Sequence, residues 1–221
     1  MTTFHSVRSR LIALATLAVL ALGNPALAAQ SKKAGKKETK VTKARDYAKT
    51  LAVIKTDQGD ITVRFFHDKA PNHVKNFIDL SASGFYDGTL FHRVIPDFMV
   101  QGGDPLTKDM ANSGQFGTGG NKDKSSNPIN VKAEFNDVSH KRGVLSMARA
   151  SDPDSASSQF FIVVKDSLFL DRQYTAFGEV VKGLEVADAI VKASDSEPNS
   201  NGRPRKLQKI KKIELIDDEA K

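Results

Sequence analysis

Apolar and polar positions first fall into a clear rhythm just after residue 50. Leu51-Ala52-Val53-Ile54 is followed by the turn-forming Asp57-Gln58-Gly59-Asp60, and Ile61, Val63 and Phe65 then alternate with Thr62 and Arg64. A period of two on both sides of such a turn predicts a β-hairpin. The period then changes: Val74, Phe77 and Ile78 fall at i, i+3 and i+4, Pro71 suits a first helical turn, and Gly84 offers a left-handed stop. These signals predict a helix over 70–82. Short apolar runs separated by Gly, Asn, Asp and Pro follow at 89–95, 98–101, 129–133, 143–148, 159–165 and 175–181, each predicting a short strand. Leu184, Ala187, Ile190 and Val191 after Gly183 predict a second helix, and Ile210, Ile213, Leu215 and Ile216 a last strand. The order is strands, helix, many strands, helix, strand. It lacks the βαβ alternation of a parallel sheet and predicts an antiparallel sheet or closed barrel.

The first residues follow a different pattern. Arg8 and Arg10 precede an apolar run from Leu11 to Leu22, and Ala26-Leu27-Ala28 has the small-x-small form that a signal peptidase reads. Gly23, Asn24 and Pro25 end the run well short of the roughly 20 apolar residues that span a bilayer. Residues 1–28 are therefore expected to be a cleavable signal peptide, with Ala29 as the alternative last residue. No stable membrane insertion is expected after cleavage. The 221 residues contain no cysteine, so there is no disulfide framework, thiol nucleophile or lipid-attachable thiol. Export to the periplasm is expected, with secretion as the alternative.

A net charge of +7 invites a nucleic-acid reading, but the charge is unevenly spread. Residues 30–49 hold eight basic and two acidic residues, whereas 50–221 hold 23 basic and 24 acidic. A nucleic-acid-binding domain needs its basic face on the fold itself. Here the basicity lies in a Lys/Ala/Thr-rich stretch, so 29–49 reads as a disordered linker, 50–217 as one domain and 218–221 as a tail. No nucleic-acid partner is expected, and a monomer is.

Three segments carry the candidate chemistry. They are Phe91-His92-Arg93-Val94-Ile95-Pro96-Asp97-Phe98-Met99-Val100-Gln101-Gly102-Gly103-Asp104; Gly143 to Ala150 followed by Ser158-Gln159-Phe160-Phe161-Ile162; and Phe169-Leu170-Asp171 with Tyr174 to Val180. In strand geometry Arg93 and Gln101 stand beside large apolar side chains, so a guanidinium and an amide can line one apolar groove with Phe98, Met99 and Phe161. Such a groove suits an apolar ring with one strong donor above it.

In order and spacing these segments resemble the cyclophilin signature over essentially all of 50–217. The resemblance implies a mainly β fold, a closed eight-stranded antiparallel β-barrel capped by two α-helices, with the active groove on its outer face. It implies peptidyl-prolyl cis–trans isomerase activity on proline-containing polypeptides, without a metal or organic cofactor. By matching position, Arg93 is the catalytic arginine and Gln101 its polar neighbour. Phe98, Met99, Phe161 and Leu170 form the proline pocket, with Gln159, Phe169 and Tyr174 along the groove and the main chain of Ala148 and Arg149 facing the substrate backbone. Phe169 stands where tryptophan is frequent, Tyr174 where histidine is frequent and Arg149 where asparagine is frequent. Phe169 lacks the indole N–H on which tight cyclosporin binding leans in that family.

Other classes fit less well. The five histidines show no close metal-ligand spacing, and Ser146 and Ser158 lack the Gly-x-Ser-x-Gly elbow of a hydrolase. Gly114-Gln115-Phe116-Gly117-Thr118-Gly119-Gly120 lacks the Gly-Lys-Ser/Thr ending of a phosphate loop, and the resemblance makes it a groove wall. A non-catalytic proline-binding chaperone using the same groove is the alternative of a different class.

Overall fold

Ile54, Ile61, Val63 and Phe65 point to one side of the opening hairpin, and in the computed structural model that side is the interior of a barrel. The structure describes residues 45–196 and 201–219; the expected signal peptide and most of the expected linker lie outside them. Strands β1 (Thr50–Thr56) and β2 (Asp60–Phe65) form the hairpin, and helix α1 (Pro71–Ala82) follows. Next come β3 (Leu90–Phe91), β4 (Arg93–Ile95), β5 (Met99–Gly102), β6 (Val144–Met147), β7 (Phe160–Val163) and β8 (Ala176–Lys182). Helix α2 (Leu184–Ser194) and β9 (Gln208–Asp217) are the last elements among the described residues. All pairings are antiparallel, in the order β3-β9-β1-β2-β8-β6-β7-β5-β4.

Among the described residues there are nine strands where the resemblance implies eight, and the single run predicted at 89–95 is two of them, broken at His92. Before the break, Leu90 and Phe91 pair with Lys209 and Gln208 of β9; after it, Arg93 to Ile95 pair with Gln101 to Met99 of β5. One bent segment thus bonds to both ends of the sheet and nearly closes the barrel, which removes the exposed edges of an open sheet. The strand expected at 129–133 is absent. Val131 makes one bridge to Ala156, while the N–H groups of Ala133 and Glu134 donate to the side chains of Asp154 and Thr175. With Ile129 exposed, the segment has neither a strand edge to pair with nor a buried face to hold it.

The domain also extends past its expected ends. Asp46 caps a 3-10 turn over Tyr47–Lys49, the Tyr47 hydroxyl donates to Asp79 at 2.9 Å, and Lys49 O accepts from Asp218 N at 2.7 Å. Asp46–Lys49 and Asp218 therefore belong to the fold rather than to linker and tail.

Two apolar clusters divide the molecule. The larger fills the lumen and takes in Val94, Val100, Leu145 and Ile162 with the buried faces of α1 and α2. Side chains fill a barrel of this size completely. The smaller, Met99, Val144, Phe161, Val163, Leu170 and Ala176, lies on the outer surface of β5–β8. The strand period of two sends neighbouring residues to opposite clusters.

Candidate active site

Register builds the site. Arg93 faces Gln101 across β4–β5, Gln101 faces Phe161 across β5–β7, and Phe161 faces Ser146 across β7–β6. Four strands thus place one guanidinium, one amide and one aromatic ring in a row on the outer face, and Met99 stands two residues from Gln101 on the same side. The turn between β4 and β5, with Asp97 left-handed at φ 57°, brings Phe98 over the row. Leu170 closes the floor from the 168–170 turn, and Tyr174 meets Phe161 edge-on at 5.9 Å. The resulting groove has a volume of about 680 Å³, within the range usual for ligand sites.

Arg93 is half-buried. Its Nε donates to Asn201 O at 3.3 Å and its NH1 to Gln101 Oε1 at 3.4 Å. Burial pushes its pKa below the ordinary guanidinium value, yet arginine keeps its charge in proteins. Gln101 Nε2 donates in turn to Gln159 Oε1 at 2.9 Å, and Gln159 Nε2 donates to Gly117 O and Gly119 O at 2.9 and 2.7 Å. Every bond in this relay runs the same way, from guanidinium to loop carbonyl. The Gln159 amide is thus spent as a strut behind the groove, where it fixes Gln101.

The same loop is held from below by Asp104, which is fully buried and accepts from Gly117 N and Gly119 N. A Cβ at Gly119 would lie 2.0 Å from Asp104 Oδ1. The N–H groups that a phosphate would need therefore point inward to a carboxylate, while Gly114, Phe116 and Gly117 line the groove. Gly103, at φ 85°, completes the support: a Cβ there would lie 2.5 Å from Ser158 O.

The remaining candidates lie around the rim. Ala148 lines the groove and donates its N–H to Gln159 O at 2.9 Å; Arg149 lies beyond the end of β6, so its main chain is outside the sheet ladder. The Arg149 guanidinium sits 4.7 Å above the Tyr174 ring. Phe169 is 66% exposed and packs against Phe98 at 5.4 Å, outside the groove lining. Sequence reasoning missed one wall altogether: Asn201, Arg203, Pro204, Arg205 and Leu207 stand beside Arg93. Val94 N donates to Gly202 O at 2.6 Å and anchors that wall to β4.

A serine, a histidine and an aspartate do meet below the floor. His140 Nδ1 lies 3.0 Å from Asp171 Oδ1, and its Nε2 3.0 Å from Ser146 Oγ. Ser146 and His140 are fully buried and Ser146 Oγ also donates to Thr175 O, so no substrate reaches this hydroxyl. The trio braces Phe161 and the 170–175 segment from beneath.

His73, His92 and His140 each have a pKa lowered below 6.5, with burial as the main cause. In the unfolded chain each takes up its proton at the higher pH, so the unfolded state binds more protons as pH falls below 6.5. Stability is expected to be level from pH 8 to 7 and to decline below 6.5, by up to about 1.4 kcal/mol per pH unit for each imidazole. Calorimetric melting across this range checks it; a Tm that rises on acidification to pH 5 would contradict the burial of these rings as neutral groups.

Fold and site together define a nearly closed antiparallel barrel with an external apolar groove and a tethered guanidinium. Comparison with known proteins gives the family. Residues 51–215 match the model described as cyclophilin type peptidyl-prolyl cis-trans isomerase/CLD. The chain is 44% identical over 173 residues to peptidyl-prolyl cis-trans isomerase A of Dickeya dadantii, covering 74% of this chain and 85% of that one. It is 40% identical over 148 residues to peptidyl-prolyl cis-trans isomerase B of Escherichia coli, covering 63% and 83%. Among solved structures, a Cryptosporidium parvum cyclophilin type isomerase crystallised in the presence of the dipeptide Ala-Pro superposes with a TM-score of 0.64 at 31% identity, covering 75% of this chain and 98% of that one. The chain belongs to the cyclophilin type peptidyl-prolyl cis-trans isomerases.

Proposed function

We propose that Arg93 carries the isomerisation, and that the substrates are proline-containing segments of exported polypeptides folding in the periplasm. The observation that carries the catalytic assignment is the Arg93 guanidinium, tethered through Gln101 and Asn201 O beside a floor of Met99, Phe161 and Leu170. The structural relative crystallised with Ala-Pro supports the same ligand class for this groove.

An Xaa–Pro amide resists rotation by about 18–20 kcal/mol because the nitrogen lone pair is delocalised into the carbonyl. As the bond twists, that pair localises on the prolyl nitrogen and becomes an acceptor that barely exists in the planar form. A donor aimed there stabilises the twisted state more than either planar state, and only such differential binding accelerates the reaction. Arg93 offers a permanent charge and a planar fork, while the apolar floor grips the ring and keeps the local polarity low. One charge-assisted hydrogen bond supplies about 1.5–3 kcal/mol. Holding the ring still while the preceding carbonyl swings supplies the remainder. With residues 45–221 at catalytic concentration, NMR exchange spectroscopy on a short Ala-Pro peptide should show cis–trans exchange well above the spontaneous rate. Peptide binding without acceleration would leave the groove as a proline-binding chaperone site.

Export rests on the basic start, the apolar run and Ala26-Leu27-Ala28. Terminal sequencing of the protein from a diderm envelope fraction should read from Ala29 or Gln30. An intact Met1 terminus in that fraction would remove the cleavable signal.

A further inference from the structure

The charge lining the groove is one-sided. Four arginines line it, Arg93, Arg149, Arg203 and Arg205, and no aspartate or glutamate does so among the described residues. The domain as a whole does not explain this, because 50–221 hold 23 basic and 24 acidic residues. Arg93 and Arg149 make no ion pair among the described residues. Arg93 donates to neutral oxygens of Gln101 and Asn201, and Arg149 to the main-chain carbonyls of Gln173, Ala150 and Ser151 at 3.1, 2.8 and 3.2 Å. Those three bonds and the Tyr174 ring hold the Arg149 charge in place at one rim of the groove.

On the wall beside Arg93, Arg203 donates to Ser113 O at 3.2 Å, and Arg205 lies 3.8 Å from Asp195. Arg203 is thereby tied to the loop that forms the facing wall. Arg205 shares its charge with Asp195, whereas Arg93 and Arg149 meet only neutral oxygens, and charges gathered in a cleft with low-dielectric walls focus their field into it.

We propose that the groove selects proline-containing segments with aspartate or glutamate flanking the proline, read by Arg149 at one rim and by Arg203 and Arg205 at the other. This rests on the isomerase reading of the same groove and adds a substrate class to it. A carboxylate at the Arg149 rim meets the charge and the uncommitted NH2 of a guanidinium whose Nε and NH1 are already held by carbonyls, and a carboxylate at either rim does not displace Arg93 from the prolyl nitrogen. The preference should therefore appear in KM rather than in kcat.

The test uses three peptides of equal length with a central Ala-Pro, flanked on both sides by Glu, by Ala or by Lys, and measures kcat and KM by NMR exchange at low and high salt. At low salt the Glu peptide should have a kcat/KM about 5- to 10-fold above the Ala peptide, carried by KM, with the Lys peptide lowest. High salt should compress the series, and in the double variant Arg203→Gln/Arg205→Gln the Glu-to-Lys ratio should fall toward one. Equal turnover of all three peptides by the wild type at low salt overturns the charge preference and leaves the isomerase intact. Absence of turnover for any peptide overturns the isomerase reading itself. Should the double variant not fold, the wild-type ratio and its salt dependence still decide.

Discussion

Replacing Arg93 with alanine is expected to lower kcat/KM for an Ala-Pro peptide roughly 10- to 100-fold while leaving peptide affinity nearly unchanged. The size follows from the loss of one charge-assisted hydrogen bond of about 1.5–3 kcal/mol that forms fully only in the twisted amide, at about 1.4 kcal/mol per decade of rate. Affinity survives because the ring is gripped by Met99, Phe161 and Leu170, none of which the substitution touches. Arg93→Lys should recover little. The Nε bond to Asn201 O and the NH1 bond to Gln101 Oε1 hold a planar fork, and an ammonium cannot satisfy both while presenting a further donor. Exchange rates with and without saturating enzyme, together with a peptide titration, separate the two quantities. Wild-type rates in Arg93→Ala would move the chemistry away from this residue, and a parallel loss of affinity would make Arg93 a binding group.

How far this site is legible in the chain varies with the range of the interactions that build it. Helix α1 and the β1–β2 hairpin follow from period alone, because Val74, Phe77 and Ile78, or Ile61, Val63 and Phe65, bury one face of a regular element. The break at His92 carries no local mark. It arises because closing the barrel makes one run change partners from β9 to β5, a constraint felt only once both strands are in place. At 129–133, Ile129 and Val131 alternate as a strand would, but alternation without a free edge yields only the Val131–Ala156 bridge.

The groove divides in the same way. Arg93, Gln101 and Phe161 can be read as neighbours because their spacing and strand register put them in one row. Gln159 is adjacent in sequence to Phe160, yet its amide is committed by the carbonyls of Gly117 and Gly119, which no pattern around residue 159 announces. Asn201 contacts Arg93 across a separation of 108 residues. Nothing in Asn-Gly-Arg-Pro-Arg says which wall it will form.

The largest stability loss is expected from Phe77→Ala. Phe77 is fully buried and meets four rings, Tyr86 and Phe160 at 5.2 Å, Phe177 at 5.5 Å and Phe65 at 5.6 Å. Truncating a buried phenylalanine costs about 3–5 kcal/mol, because the transfer energy of the ring is lost and neighbours on rigid strands cannot collapse into the hole. In a domain of this size that corresponds to a drop in Tm of roughly 10 °C or somewhat more. The loss should not stay in the lumen. Phe160 leans edge-on against Phe77 and precedes Phe161, whose ring floors the groove on the opposite face of β7, while the Tyr86 hydroxyl holds Ser158 O at 3.0 Å just before that strand. Phe77→Leu keeps most of the volume and should lose much less stability than Phe77→Ala. If both variants melt together, the aromatic contacts rather than the filled volume hold β7. If Phe77→Ala melts near the wild type, the helix α1 face does not pack on the barrel as these rings require.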